Sequence, residues 1–161
     1  MLNDELNNQH QLSSGPLLDE NGNLNEAGFS TSLVREYDRK QIKGLKSRIK
    51  EWDYYYIGNK DFGVALTIAD NSYMALASVS FLNFKTGEQI TKSKMKFFTF
   101  GKLSLPSSSN EGLTKVSWKG LQMSFETKNH QRKLNVLYKN FANQKDFRLE
   151  VVLKENNRGP A

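Results

Sequence analysis

The chain reads as an all-β protein, an antiparallel meander curling into a barrel or half-barrel behind an irregular N-terminal arm. Three observations carry that reading. Between Lys50 and Phe84, apolar and aromatic runs of strand length are cut by Gly58-Asn59-Lys60-Asp61 and Asp70-Asn71-Ser72, residues that accept left-handed backbone or make local side-chain turns. Beyond Phe84 the alternation of period two continues almost to the C-terminus, giving about eight strands. No helical crossover separates them, so successive strands pair as neighbours. A β-sandwich is the rival arrangement, and the near-uniform hairpin spacing favours the barrel.

The individual elements follow in order. Residues 1–14, rich in Asn, Gln and Ser, are expected to be a disordered tail. Residues 15–46 form an arm with turns: Asn21-Gly22 between Leu17, Leu18 and Leu24 folds a short segment back on itself before Phe29. In the basic stretch that follows, Leu33, Tyr37, Ile42, Leu45 and Ile49 could mark a helical face, but Gly44 interrupts it and no cap is evident, so the segment reads as mixed. The barrel-like domain is expected over 47–155. Val64, Leu66 and Ile68 face one way on one strand, and the strand through Tyr73–Phe84 is apolar or small on both faces, as if covered twice. Lys92, Lys94 and Lys96 alternate with Ser93, Met95 and Phe97, the pattern of a strand with one wet face. Residues 101–112 compose a loop. Val116 and Trp118, then Leu121, Met123 and Phe125, alternate with polar residues on either side of Gly120, and 130–138 and 147–153 supply the last two strands. Residues 156–161 are a tail where a second half would begin.

Composition narrows the function classes. The 161-residue chain holds no cysteine, which excludes disulfides and thiolate metal sites. His10 and His130 stand alone, so no metal site is expected, and no nucleotide loop, nucleophile elbow or zinc-protease motif suggests a cofactor or a standard catalytic apparatus. No stretch approaches the roughly 20 apolar residues that span a bilayer as a helix, and a cytoplasmic location is the expectation. The net charge of +6 is unevenly spread. Residues 1–30 carry Asp4, Glu5, Asp19, Glu20 and Glu26 with no Lys or Arg, leaving +11 on the rest. Such a body attracts polyanions, including nucleic acid or anionic lipid. The lysines alternate along strands, however, as on an ordinary solvated surface, which disfavours nucleic acid as a partner.

Candidate chemistry gathers at aromatic and charged residues. Trp52, Tyr54 and Tyr56 share one face of a strand, with Asp53, Tyr55 and Ile57 on the other; one face is expected to line the core or a pocket for an apolar ligand. Glu51 and Asp53 lie among those aromatics, where desolvation raises a carboxyl pKa and could create a general acid.

Five segments stand out in order: G-P-L-L-D-E-N-G-N-L-N-E-A-G-F (15–29), R-E-Y-D-R (35–39), K-E-W-D-Y-Y-Y-I-G-N (50–59), A-L-T-I-A-D-N (65–71) and V-S-F-L-N-F (79–84). Together they resemble an uncharacterised bacterial family known as domain of unknown function 2804. The resemblance implies a distant similarity to two-barrel, lipocalin-like carotenoid hydratases and AttH proteins, whose paired domains enclose a long apolar molecule. It also implies a chain about half the family's usual length, an N-terminal half whose partner is a second barrel or another copy. The family lends no catalytic residue. On local chemistry, the expected ligand-binding residues are Arg35, Glu36, Tyr37, Asp38, Glu51, Trp52, Tyr54 and Tyr56. Arg35 or Arg39 would meet an anionic head group. A hydrophobic or amphipathic small molecule is therefore the leading expected ligand. The alternatives are part of a hydratase or lyase with Asp38, Glu36 or Glu51 as proton donor, and a basic nucleic-acid-binding module.

Overall fold

The structure is a computed structural model, and it describes residues 9–154. The chain separates into two compact units, one ending at Gly44 and the other running from Leu45 to Glu155. The 1–8 portion of the expected tail and the 156–161 tail lie outside the described residues.

In the first unit, β1 (Gly15–Pro16) pairs in parallel with β2 (Arg35–Glu36). Gln11 bridges Phe29, and Leu18 bridges Leu24 across the turn expected at Asn21-Gly22. That turn closes because Gly22 takes a φ of 83° and because one Asp19 carboxylate oxygen accepts from the backbone N–H groups of Asn21 and Asn23. Gly28 passes so close to the His10 carbonyl that a Cβ would stand 2.3 Å from that oxygen. The basic stretch does not become a helix. Asp38 caps a single 3-10 turn at Arg39–Gln41, Gly44 follows at a φ of 132°, and a second 3-10 turn occupies Lys46–Arg48.

The second unit holds the eight strands: β3 (Glu51–Gly58), β4 (Phe62–Asp70), β5 (Met74–Asn83), β6 (Gln89–Phe97), β7 (Gly112–Trp118), β8 (Leu121–Lys128), β9 (Gln131–Ala142) and β10 (Lys145–Lys154). All pair antiparallel with their chain neighbours, as the meander reading requires. They divide into two four-stranded sheets, β3-β4-β5-β6 and β7-β8-β9-β10, and do not close into a barrel. The turns have clear chemical causes. Asn59 Oδ1 accepts from the N–H groups of Asp61 and Phe62, while Asn83 Oδ1 accepts from those of Lys85 and Thr86. Asn129-His130 and Asn143-Gln144 each place two successive residues at positive φ, the twist that suits a two-residue hairpin.

Alternation selects the inner faces. Val64, Leu66 and Ile68 of β4 with Ala77 and Val79 of β5 meet Val116, Leu121, Met123, Phe125, Leu134, Val136 and Tyr138 of the second sheet in one core cluster. Tyr55 reaches into it edge-on against Phe125, with ring centroids 4.9 Å apart. At the rim, the Thr114 hydroxyl of β7 donates to the Asp53 carboxylate of β3, so this inward carboxylate has a partner in the opposite sheet.

Where the first sheet hands the chain to the second, a buried carboxylate organises the backbone. Asp70, fully buried at the end of β4, accepts from the Ser72 N–H (2.9 Å), the Thr99 hydroxyl (2.7 Å) and the Leu103 N–H (3.3 Å). Desolvation pushes its pKa up. The hydrogen bonds from Thr99, Ser72, Leu103 and Gly101 together outweigh that push and leave it below the ordinary 3.8. Ser72, at a φ of 68°, turns its own hydroxyl to the Ile49 carbonyl (2.6 Å).

Because its folded pKa is lowered, the ionised Asp70 contributes stability above about pH 3.8, and that contribution is lost as pH falls through the folded value. Asp70→Ala leaves a buried hydroxyl and several N–H groups without an acceptor. The expected cost is about 3 kcal/mol, or about 10 °C in melting temperature for a chain of this size. Thermal melts from pH 7 to pH 3 check it, with the gap between wild type and variant narrowing at the acid end.

Candidate functional site

The eight residues expected to form one site fall into two groups of four. Arg35, Glu36, Tyr37 and Asp38 belong to the first unit, whereas Glu51, Trp52, Tyr54 and Tyr56 lie on β3 of the second.

In the first unit the charges are already engaged. Glu26 Oε1 meets the Nε2 of His10, while Oε2 forms an ion pair with Arg35 and accepts from the Ser13 hydroxyl (2.8 Å) and N–H (3.2 Å). The Arg35 guanidinium also donates to the Pro16 carbonyl and the Ser13 hydroxyl, each at 3.3 Å. Arg35 is thus the internal counter-ion that ties residues 13–16 to β2, a task that competes with meeting an anionic head group. Glu26 escaped the sequence reading because nothing in its local pattern signals a partner nine residues away. Asp38 has a structural duty as well, since its carboxylate accepts from the Lys40 N–H at 2.9 Å.

On β3, strand alternation separates the expected residues. Glu51 sits on the same side as Asp53, Tyr55 and Ile57, toward the core, while Trp52, Tyr54 and Tyr56 point outward and are 63, 56 and 51% exposed. An inner-face pocket lined by that trio is therefore corrected: Tyr55 fills the inner position, and the three rings form an outer ridge. Tyr56 lies down over two glycines. A Cβ on Gly63 would stand 2.5 Å from its hydroxyl, and one on Gly58 would stand 2.8 Å from it.

The register shows what the ridge borders. Trp52, Tyr54 and Tyr56 stand opposite Ala69, Thr67 and Ala65 of β4, which stand in turn opposite Leu76, Ser78 and Ser80 of β5. Those pair with Met95, Ser93 and Thr91 of β6. Hydroxyls bridge the last two strands, Ser80 to Thr91 at 2.8 Å and Ser93 to Ser78 at 2.9 Å. This outward face has small residues along its middle, aromatic rings on one edge and Met95 with Phe97 at the far edge. None of these positions carries a charge, in a protein of which 25% is charged.

The lysines of β6 lie on its other side. Lys94 places its ammonium 5.7 Å from the centre of the Tyr138 ring, whereas Lys92 and Lys96 on the same side are exposed, and so are Met95 and Phe97 on the other. The single wet face expected for this strand is thus corrected: both sides of β6 are open, and its apolar side is the outward one. Met95 and Phe97 were legible as strand residues but not as surface, because alternation fixes which residues share a face and not which face is covered.

The outward face of the second sheet is different in kind. It holds a shallow groove of about 570 Å³ lined by Lys115, Gln122, Ser124, Asn135, Arg148 and Glu150, among others. Mixed charges of that type describe an ordinary solvated sheet. Among the described residues no three His, Cys, Asp or Glu are grouped to hold a metal ion. No helix among them is long and apolar enough to cross a membrane.

Replacing Arg35 by Met would leave Glu26 facing His10 without its guanidinium and release residues 13–16 from β2. Limited proteolysis is expected to cut within residues 9–44 on the order of tenfold faster than in the wild type, read by mass spectrometry of the early fragments.

Comparison with known proteins adds one identification. No curated protein and no solved structure matches the chain. One family model does match, over residues 8–160, and the chain accordingly belongs to the family described as Domain of unknown function (DUF2804).

Proposed function

We propose that this protein binds a hydrophobic or amphipathic small molecule, on the outward face of the β3–β6 sheet. The observation that carries the reading is the exposed ridge of Trp52, Tyr54 and Tyr56 beside a floor of Ala65, Thr67 and Ala69, with no charged residue at the outward positions that pair with that floor. Three exposed aromatic rings on an uncharged sheet face are unfavourable in water unless something covers them. The Ser and Thr hydroxyls along β5 and β6 offer neutral hydrogen bonds to a polar end of the ligand.

Scale supports a small ligand. Three strand spacings of about 4.8 Å set the face about 14 Å across, and six residues along β4 run about 20 Å. An acyl chain or fused-ring molecule fits those dimensions. Burying about 300 Å² of apolar area contributes about 7 kcal/mol, from which the lost freedom of the bound ligand subtracts several kcal/mol. A lipocalin-like relationship remains part of the proposal in one respect: ligand and ridge belong to an antiparallel meander. The difference is that the interlayer is filled by core side chains, so the ligand lies against the outside of the sheet.

Trp118→Phe leaves Trp52 as the sole indole. Titration of that variant with Nile red is expected to quench Trp52 saturably and shift the dye emission to the blue. Tyr54→Ala should weaken the effect about tenfold, and Thr67→Lys, which plants a charge on the floor, should abolish it while the circular dichroism spectrum is retained. A flat titration on folded protein rejects the reading.

A further inference from the structure

The connection between β6 and β7 is costly in two ways at once. Phe98 and Phe100 hold left-handed backbone, with φ of 58° and 48°, a region that bulky residues seldom occupy. Their rings are also exposed, at 70 and 45%, and Phe97 beside them is 63% exposed. The three rings stand in series, Phe97 to Phe98 and Phe98 to Phe100 each at 6.3 Å between centroids.

The backbone that presents them is pinned from within. Between the two phenylalanines, buried Thr99 donates to Asp70, while the N–H groups of Phe98 and Phe100 donate to the Tyr73 and Ser72 carbonyls, both at 2.8 Å. Turning Thr99 inward turns its neighbours outward. That anchoring uses the Phe98 and Phe100 backbones and makes no use of their rings, and the conformation itself suits Asn or Gly better. The phenyl groups are therefore explained by what they meet outside the protein.

Charge indicates what that is. From Gln89 to Asn110 the chain contains Lys92, Lys94, Lys96 and Lys102 and no carboxylate. Lys96 and Lys102 are exposed on either side of the aromatic series. A two-fold contact with a second copy would set these lysines against their own equivalents. Base stacking is disfavoured by the ring series, because Phe98 already has a neighbouring ring on each side. Apolar rings that enter the acyl boundary, flanked by ammonium groups that meet anionic headgroups, form the pattern of a peripheral membrane contact.

We propose that the β6–β7 loop docks this protein on an anionic lipid bilayer, with Phe97, Phe98 and Phe100 entering the interface and Lys96 and Lys102 meeting the headgroups. The inference shares Phe97 with the far edge of the β3–β6 face and otherwise rests on Phe98, Phe100 and the loop charge, which the proposed ligand does not use.

The test is co-sedimentation of the full chain with vesicles of phosphatidylcholine alone and of two parts phosphatidylcholine to one part phosphatidylglycerol. Binding to the mixed vesicles is expected to be at least about tenfold stronger and to weaken as salt is added. The double variant Phe98→Asn, Phe100→Asn should keep or raise the melting temperature, because Asn accepts left-handed backbone. It should lower binding to the mixed vesicles about tenfold or more. The proposal is overturned if wild-type protein stays in the supernatant with the anionic vesicles, or if the variant sediments as well as wild type. It is equally overturned if the variant instead turns an oligomer into a monomer on size exclusion, or if an oligothymidylate strips the wild type from the vesicles by binding the same loop.

Discussion

A single buried carboxylate sets the terms for the β3–β6 sheet and everything it presents. Asp70 is fully buried, so it must be satisfied by the protein, and the donors come from three separate places: the turn after β4, Thr99 two residues past β6, and the loop that leaves for β7. Collecting those donors forces Ser72 and the residues flanking Thr99 into left-handed backbone. The strain is tolerable because the alternative, an unpaired buried charge, is more expensive by several-fold. The same constraint decides that Phe98 and Phe100 point away from the protein.

The two sheets use one pattern for different ends. Both alternate, and both supply an inner face to the shared core. Their outer faces diverge: the β7–β10 sheet carries Lys115, Glu126, Lys133, Arg148 and Glu150 in the manner of a solvated surface, whereas the β3–β6 sheet carries aromatic, aliphatic, small and neutral polar residues. Composition averaged over the chain conceals this contrast. β5, apolar or small on both sides, is covered on one of them: Ala75, Ala77 and Val79 are buried, whereas Leu76, Ser78 and Ser80 stay half-buried on the outward face. In the first unit, a comparable economy appears around Glu26, one acid that holds Arg35, His10 and Ser13 together in a segment with little apolar core.

The amino-acid sequence by itself determined the all-β class, the antiparallel order of strands, the hairpin turns at Asn59, Asp70-Asn71-Ser72 and Gly120, and membership of the family. Each of these rests on local chemistry: a period of two, a residue that tolerates positive φ, a side chain that caps its own turn. It also grouped Trp52, Tyr54 and Tyr56 on one face. Only the tertiary structure decided that this face is the outer one, that eight strands split into two sheets, that Met95 and Phe97 look outward while Lys94 leans on Tyr138, and that Arg35 and Asp38 are engaged within the arm. The physical reason is the same in every case. Alternation is symmetric under exchange of the two faces, and an ion pair between distant residues leaves no local trace, so which side is covered and which charge is satisfied depend on contacts made far along the chain.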